Sequence, residues 1–256
     1  MEPTNINEYR KVRKKTRKYK LPTYFIYFLL IIVGVYFFLH SPFFNIKNIE
    51  IMGNNNLEEA KILDLCQINS EQNLIFLNNR KIVESILVNP MVKNVELKKK
   101  LPNTLEITIT ERVPVALLVC PDGFIQVSED GYFLALLKNI GHYAIPVVNG
   151  ISMDYLPGPG QKIKNDTLLT VLEIIKQSDP NTLKYIAEIN MAEDSNILAY
   201  TTLGIEIKLG DLERLEEKLY NLDLILLELI NKTIESESIE YIDLRFAGPP
   251  IVKKKI

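Results

Sequence analysis

The sequence YFIYFLLIIVGVYFFL, which runs from Tyr24 to Leu39, decides how the rest of this chain is arranged. Every residue in it except Gly34 is aromatic or aliphatic, and the window from Leu21 to Ile46 contains no Asp, Glu, Lys or Arg. Crossing the ~30 Å hydrocarbon core of a bilayer takes about 20 consecutive apolar residues in a helix. A buried helix of a globular protein rarely carries apolar residues on all its faces over such a length. The sequence therefore predicts a transmembrane helix over residues 23–42.

The residues that follow this stretch distinguish an anchor from a cleaved signal peptide. Cleavage needs small residues shortly after the apolar core. The sequence LHSPFF over residues 39–44 offers no pair of small residues separated by one position. The helix is therefore interpreted as an uncleaved signal anchor.

The charges before the helix predict its orientation. The charged residues in the first 22 positions are Arg10, Lys11, Arg13, Lys14, Lys15, Arg17, Lys18 and Lys20, against Glu2 and Glu8. Positively charged flanks stay in the cytoplasm, so residues 1–22 are predicted to form a basic cytoplasmic segment and the rest to be exported. Such a segment could also bind nucleic acid or anionic lipid. Topology and the lipid surface account for it, and no nucleic-acid partner is expected.

The rest of the chain has the opposite charge balance. The whole chain has 30 basic and 32 acidic residues, which leaves 22 basic and 30 acidic residues outside the segment above. An acidic exported part is a poor candidate for binding polyanions. Cys66 and Cys120 can make at most one bridge, so no disulfide framework supports the fold. Buried free thiols are the simpler interpretation of these two cysteines.

Five short elements are predicted directly after the membrane helix. Alternation of apolar and polar residues predicts a strand at 48–51, and apolar spacing predicts helices over 57–66 and 79–88. The residues expected on their inner faces are Ala60, Leu63 and Cys66 in the first helix and Ile82, Val83, Ile86 and Leu87 in the second.

Two more strands, at 94–98 and 104–110, flank a turn at 101–103. The order strand, helix, helix, strand, strand predicts a three-stranded sheet with two helices over one face. Three consecutive lysines at 98–100 are interpreted as a solvated strand end rather than a binding patch.

Several segments of this region together resemble a known domain. They are FNIKNIEIMGN over 44–54, NL over 73–74, NPMV over 89–92, LPNTL over 101–105 and ERVPVA over 111–116. Their order and spacing after an anchor resemble the POTRA-type domain of the FtsQ/DivIB family of bacterial cell-division proteins. The resemblance is thinner through the second half and returns at YIDLRF over 241–246. It implies a POTRA-like domain over 44–112, a β-rich extracytoplasmic domain over 113–248 and a short C-terminal tail over 249–256.

The second half is predicted to be mostly strands. They are expected at 113–119, 124–127, 132–136, 185–190, 197–202, 205–209 and 240–247. Residues 141–160 are expected to form a loop, because prolines and glycines interrupt them repeatedly. A helix follows, with Asp166 or Thr167 as its cap. The predicted fold class is α+β, with a transmembrane helix, a POTRA-like domain and a larger β-rich domain with packed helices.

A second helix, over residues 211–232, carries leucines at heptad spacing. They are Leu212, Leu215, Leu219, Leu222, Leu226 and Leu229. Heptads are typical of coiled coils, but this seam lasts under three heptads and further apolar residues widen the surface beyond it. Packing against the domain's own sheet is therefore favoured over a zipper with a partner helix.

The last predicted strand is the candidate binding site. A strand that arrives last either inserts into its sheet or lies at an edge, where another chain's strand can pair with it. The resemblance implies that small single-pass division proteins with coiled coils, FtsB/DivIC-like and FtsL-like, dock there by strand addition. The residues assigned this role are Tyr241, Ile242, Asp243, Leu244, Arg245, Phe246, Gly248, Pro249, Pro250 and Ile251. The alternative is that the strand only closes the core. The lysines at 253–255 are interpreted as a solvated tail.

The sequence contains no recognisable catalytic motif. His40 and His142 are not placed as a metal-binding pair, and Cys66 and Cys120 lack a metal-binding spacing. No nucleophile elbow, phosphate loop or dinucleotide fingerprint occurs. His142 is interpreted as an incidental loop residue, and the carboxylates at 129–130 as turn residues. We expect no cofactor, no metal site and no enzymatic activity.

These expectations combine into one functional prediction. By resemblance, the chain is a bitopic scaffold of the divisome in the plasma membrane at the division septum. It is expected to bind other single-pass division proteins outside the membrane and to influence septal wall synthases indirectly. A membrane-anchored peptidoglycan hydrolase that uses two carboxylates and a POTRA-bearing export component are the alternatives. The hydrolase would need an acidic cleft, and the export component several POTRA units or a following barrel.

Overall fold

A computed structural model describes residues 21–69, 71–141, 143–153, 155–192, 196–231 and 239–255. Its first element is helix α1, Leu21–Leu39, in which every residue from Thr23 to Phe38 is exposed. Within the described ranges, a helix long and apolar enough to cross a membrane is not found. The transmembrane assignment of residues 23–42 stays a prediction.

The next five elements build a small α/β unit around a three-stranded sheet. They are β1 Asn48–Met52, α2 Glu59–Cys66, α3 Asn79–Leu87, β2 Val92–Lys100 and β3 Thr104–Glu111. In the sheet order β1-β3-β2, β3 runs parallel to β1 and antiparallel to β2. The core consists of Ile46, Ile62, Cys66, Leu74, Ile82, Ile86, Val92, Val95, Leu105, Ile107 and Ile109. The predicted order of strands and helices is confirmed.

The predicted inner face of α2 is right for Cys66 and wrong for Ala60 and Leu63. Ala60 is exposed and Leu63 is 40% exposed, whereas Ile62 and Cys66 are buried. Residues four apart lie on one side of a helix, and the sheet takes the larger pair Ile62 and Cys66. In α3, Ile82 and Ile86 are buried as predicted, while Leu87, at the end of the helix, is 42% exposed.

The three lysines of β2 are not simply a solvated strand end. Lys99 donates from Nζ to the carbonyls of Ile75 at 3.0 Å and Leu77 at 2.9 Å. Lys100 pairs with Glu50 at 2.8 Å and also with Glu106. Two of the three therefore hold parts of this unit together.

The second unit is a mixed nine-stranded sheet. Its strands are β4 Pro114–Cys120, β5 Gly123–Ser128, β6 Phe133–Leu137, β7 Val147–Asn149, β8 Ile186–Asn190, β9 Ile197–Thr201, β10 Glu206–Gly210, β11 Ile239–Asp243 and β12 Ile251–Lys254. The spatial order is β12-β11-β10-β9-β8-β7-β4-β5-β6. Pairs β4/β7, β7/β8 and β10/β11 are parallel and the others antiparallel.

Three helices complete this unit: α4 Asp166–Gln177, α5 Pro180–Leu183 and α6 Leu215–Ile230. The buried residues of α6 are Leu215, Lys218, Leu219, Leu222, Ile225, Leu226 and Leu229. All but Lys218 belong to the same apolar core as the sheet residues, so the prediction that α6 packs within its own domain is confirmed. Leu224 is 46% exposed, and Leu212 lies before the helix. Lys232, its predicted end, lies outside the described residues.

Local details of this unit differ from the prediction in two places. The predicted loop at 141–160 contains β7, which pairs with β4 and β8 in the middle of the sheet. This strand is only three residues long, two of them apolar, and the surrounding prolines and glycines interrupt any longer strand pattern. Helix α4 is capped by Asn165, whose side chain accepts from the Leu168 amide at 2.9 Å, rather than by Asp166 or Thr167.

Candidate partner-binding edge

The end of the chain forms a hairpin at one end of the nine-stranded sheet. Strand β11 pairs with β10 on one side and with β12 on the other, so β11 is an inner strand. Of the two placements that the sequence left open for the last predicted strand, the structure has the inserted one, and the predicted range 240–247 extends past the end of β11 at Asp243. The strand ends at Asp243, the chain reverses around Gly248-Pro249-Pro250, and residues predicted as a tail return as the edge strand β12.

The predicted site residues of β11 divide between the core and the surface. Ile242 and Leu244 are buried, and the Leu244 amide donates to the Lys208 carbonyl at 2.9 Å. Tyr241 lies between two cations: Nζ of Lys208 is 3.9 Å, and Nζ of Lys253 5.5 Å, from its ring centroid. Only Tyr241 among these three keeps part of its side chain available to a partner.

A close ion pair fixes the end of β11. Nη2 of Arg245 lies 2.6 Å from Oδ2 of Asp243, and Nε of Arg245 donates to Oδ1 at 2.9 Å. Hydrogen bonding from the Arg245 side chain lowers the pKa of the buried Asp243 carboxyl. The carboxylate is therefore ionised at neutral pH and holds Arg245 against the strand end.

The loop between β11 and β12 is held from the start of α6. Arg214 donates from Nη2 to the Arg245 carbonyl at 3.2 Å and from Nη1 to the Phe246 carbonyl at 3.3 Å. Phe246 itself is 62% exposed. Gly248 has φ +99°, a conformation that glycine adopts without steric cost. This loop thus presents an aromatic side chain beside the edge strand. Arg214 was not predicted, because about 30 residues separate it from the loop.

Among the described residues, no strand pairs with the outer side of β12, so its outward backbone groups have no partner strand there. In an antiparallel pair, adjacent residues alternate between facing the neighbouring strand and facing away. All four residues of β12 are exposed, including the apolar Ile251 and Val252. Lys253 pairs with Glu240 at 3.1 Å, while Lys254 and Lys255 add positive charge that no described carboxylate pairs.

The opposite end of the sheet is less open. The Phe133 amide of β6 donates to the Gln161 carbonyl at 3.0 Å, and the Gly160 amide donates to the Phe133 carbonyl at 2.8 Å. The chain's own segment therefore covers part of the β6 edge. Of the two ends, β12 offers the more accessible strand.

The other residues considered from the sequence do not assemble into a catalytic centre in the described part of the chain. Asp130 accepts hydrogen bonds from Ser128 at 2.6 Å and from Arg112 at 3.2 Å. These bonds hold the turn in place, so its carboxylate has a structural role. His40 stacks on Phe76 with ring centroids 4.3 Å apart, and His142 lies outside the described residues. Among the described residues, no group of three or more His, Cys, Asp or Glu could hold a metal ion. Cys66 and Cys120 are free thiols, and burial raises the pKa of Cys66 to about 11.

The fold and its open edge define a class: a POTRA-type unit followed by a mixed-sheet domain that ends in an exposed strand. A family model described as "POTRA domain, FtsQ-type" matches residues 44–112, and one described as "Cell division protein FtsQ/DivIB, C-terminal" matches residues 118–245. The chain belongs to the FtsQ/DivIB family of bacterial cell division proteins. The resemblance predicted from the sequence is confirmed. The second match ends at Arg245, before β12.

Curated relatives cover most of the chain. Cell division protein DivIB of Clostridium tetani is 32% identical over 230 residues, which is 88% of this chain and 84% of the relative. Cell division protein DivIB of Clostridium botulinum strain Hall is 27% identical over 254 residues, 96% of both chains. Cell division protein FtsQ of Geotalea daltonii is 30% identical over 220 residues, 84% of this chain and 77% of the relative.

Proposed function

We propose that this protein is a bitopic divisome scaffold that binds other single-pass division proteins through the outer edge of β12. The partners are small coiled-coil proteins of the FtsB/DivIC and FtsL kinds, and septal wall synthases are influenced through them. The protein acts by binding and carries out no covalent chemistry. The exposed edge strand β12 is the observation that supports this proposal most directly.

The membrane part of the proposal rests on α1 and its flanks. Its 19 residues would extend about 28 Å at about 1.5 Å per residue, close to the ~30 Å of a hydrocarbon core. Its apolar side chains are exposed from Tyr24 onward on all faces, which a helix in contact with lipid tolerates and a helix in water does not. The basic residues before it support a cytoplasmic N-terminus.

The partner-binding part rests on backbone geometry. A strand that adds to β12 gains main-chain hydrogen bonds irrespective of its sequence, while side chains beside it set specificity. Ile251, Val252 and the exposed Phe246 supply an apolar surface. Lysines at the end of β12 favour an acidic partner segment. The predicted assignment of Gly248 to Pro250 is retained as the turn that positions β12, and that of Ile251 as a contact.

A proline scan over Ile251–Lys254 tests this proposal. Proline removes one amide donor at each position, and the direction of the amide alternates along the strand. At positions whose amide points away from β11, proline is expected to weaken binding of a purified FtsB/DivIC-like extracytoplasmic segment by about tenfold or more. At the same positions, slow amide exchange at 241–243 is expected to persist, because the β11–β12 ladder stays intact.

Two controls complete the scan. Lys253→Gln keeps the backbone donor and changes only charge, so it is expected to have a smaller effect at high salt than at low salt. A proline at Leu136 in β6, the opposite edge strand, is expected to leave partner binding unchanged. Full affinity in every proline variant of β12 would refute strand addition at this edge.

A further inference from the structure

A cavity with both polar and apolar walls lies in the POTRA-type unit beside the end of α1. Its volume is about 320 Å³, and it opens between the end of α2, the loop before α3 and the first turns of α3. The lining side chains that bear on ligand chemistry are Gln67, Gln72, Asn73, Phe76, Asn78 and Lys81. Amides dominate this set, and Lys81 is its one charged member.

Two of these residues contact the end of α1 or the residue after it. Asn73 donates from Nδ2 to the Leu39 carbonyl at 2.8 Å. Phe76 stacks on His40, with ring centroids 4.3 Å apart and planes at 30°. The cavity is therefore attached to the C-terminal end of the apolar helix.

Hydrogen bonds hold the backbone of the loop that lines the cavity. Lys99 donates to the Ile75 and Leu77 carbonyls on either side of Phe76. Asn73 Oδ1 accepts from the Ile75 amide at 2.9 Å, and Asn78 Oδ1 accepts from the Lys81 amide at 3.3 Å. The loop that carries Asn73 and Phe76 is thus preorganised.

Three further polar groups of the cavity have no partner among the described residues. Within the described residues, the side-chain amides of Gln67 and Gln72 and the ammonium group of Lys81 have no hydrogen-bond or ion-pair partner, and Glu84 nearby is paired with Arg80 at 2.8 Å. Amides donate to and accept from hydroxyl groups, and lysine binds phosphate as a point charge. Phe76 adds an exposed apolar ring. This combination suits a monoanionic phosphate that carries hydroxyl groups.

The position of the cavity indicates where such a group would come from. This step rests on the proposed function, because it takes α1 to be the membrane anchor. The headgroup layers add about 10–15 Å in total to the hydrocarbon core, or about 5–7 Å on each side. A cavity that contacts the residues at the end of α1 lies within that layer. We propose that it binds the headgroup of an anionic phospholipid with free hydroxyls, of the phosphatidylglycerol type.

Nanodiscs containing the full chain provide the test. Discs of phosphatidylcholine with about 30% phosphatidylglycerol are compared with discs of phosphatidylcholine alone, and native mass spectrometry counts the lipids retained on the released protein. Lys81→Gln removes the charge, and Gln72→Ala removes one free amide without changing charge. Lys61→Gln, an exposed lysine of α2 that does not line the cavity, is the matched control.

The wild type is expected to retain phosphatidylglycerol in preference to phosphatidylcholine. Lys81→Gln should lower this retention about fivefold, the effect of one lysine near an anionic surface, and Gln72→Ala should lower it by a smaller factor. Lys61→Gln should behave as the wild type. Glycerol 1-phosphate added in solution should compete, whereas inorganic phosphate should compete poorly if the hydroxyls contribute.

Three results would overturn the inference. Equal retention in the Lys81 and Lys61 variants would leave only non-specific attraction, and equal competition by inorganic phosphate would identify a phosphate site rather than a lipid site. A chain that does not enter the discs would overturn the anchor and this inference together. Because peptide binding at β12 is measured separately, a loss of the lipid result alone leaves the partner-binding proposal standing.

Discussion

At the level of single residues, Arg112 connects the two sheets. It follows β3, and its guanidinium donates to the carbonyls of Pro90 and Val92 in the first unit. It also pairs with Asp130 in the second unit at 3.2 Å and lies 3.9 Å from the centroid of the Tyr132 ring. One side chain with only 11% exposure thus joins both units.

Replacing this residue is expected to be costly. Arg112→Ala removes the Arg112 donor from two carbonyls and the paired cation from Asp130, which keeps its bond from Ser128, so we expect it to lower the free energy of unfolding by about 2–3 kcal/mol. Urea unfolding of the full chain in detergent measures the change. Arg80→Ala, which breaks an exposed pair within α3, is the control and should have little effect. Equal effects of the two variants would show that Arg112 does not join the units.

Glu111, the residue before it, gives stability a specific pH dependence. Its carboxylate accepts from the backbone amides of Asn55 at 2.8 Å, Asn56 at 2.9 Å and Leu57 at 2.8 Å. Burial raises the pKa of Glu111, but these amide donors outweigh it and lower the pKa below its usual value. A carboxyl with a lowered pKa stabilises the fold above its unfolded-state pKa, about 4.3, and this contribution is lost as pH falls through the folded-state pKa.

Glu111→Gln is therefore expected to lower the free energy of unfolding near neutral pH and to change it little at acid pH. At pH 7 the expected loss is about 1 kcal/mol, because the amides then bond to a neutral acceptor. Once the pH falls below the folded-state pKa of Glu111, the wild type loses the same charge, so the two unfolding curves should converge. Unfolding midpoints of the wild type and the variant, measured from pH 7 to pH 2, test this convergence. If the difference in stability between the two proteins stays constant with pH, the shape of the Glu111 side chain and not its charge stabilises the fold.

Residues fixed by local periodicity could be predicted, and residues fixed by distant contacts could not. Leu105, Ile107 and Ile109 alternate along β3 and are all buried. Arg112 and Arg214 bind carbonyls of other segments, and nothing within several residues of either one signals that role. Such polar contacts depend on which segments the fold brings together. The residues next to Arg112 and Arg214 in the sequence therefore do not predict them.

At the level of elements, α6 shows how a heptad pattern arises without a coiled coil. Its buried stripe faces the core of its own domain, while Leu224 and Leu227 remain exposed. A helix covering a sheet needs a wider apolar face than a two-helix seam does. Of the four extra apolar residues, Ile225 and Ile230 pack in this core, whereas Leu224 and Leu227 do not, so only half of them form the wider face that the sequence predicted.

Two leucines of α6 make a matched pair for testing this. Leu222 is buried and Leu224 is 46% exposed. Leu222→Ala is expected to lower the free energy of unfolding by about 3 kcal/mol, through lost burial and a residual cavity. Leu224→Ala should cost under about 1 kcal/mol. Thermal unfolding distinguishes them, and a larger effect at Leu224 would indicate that this face packs against a partner.

The strands missed from the sequence are the two shortest. Strands β7 and β12 have three and four residues, too few for alternation to be distinguished from chance. Each becomes a strand because a neighbour supplies hydrogen bonds: β4 and β8 for the first, β11 for the second. The missed β12 mattered most, since it moves the candidate binding edge from β11 to the final residues of the described chain.

At the scale of the whole molecule, the proposed tether determines how strong the contact at β12 must be. A short edge strand offers few hydrogen bonds, and each contributes only about 1 kcal/mol net. Anchoring both partners in one membrane makes their encounter effectively intramolecular, which can raise the occupancy of a complex by a factor of about 100 or more. A weak contact is then sufficient at the membrane and insufficient in solution.

This reasoning predicts that the anchor matters for its position, not its side chains. Replacing residues 23–38 with an unrelated apolar sequence of equal length should preserve a midcell band of a fluorescent fusion. Exporting residues 44–256 with a cleavable signal should abolish the band, because the local concentration falls. Both versions must bind the partner segment equally in solution, which serves as the control. A persistent band from the released domains would mean that contacts outside the membrane suffice, and that the edge at β12 is far stronger than four exposed residues imply.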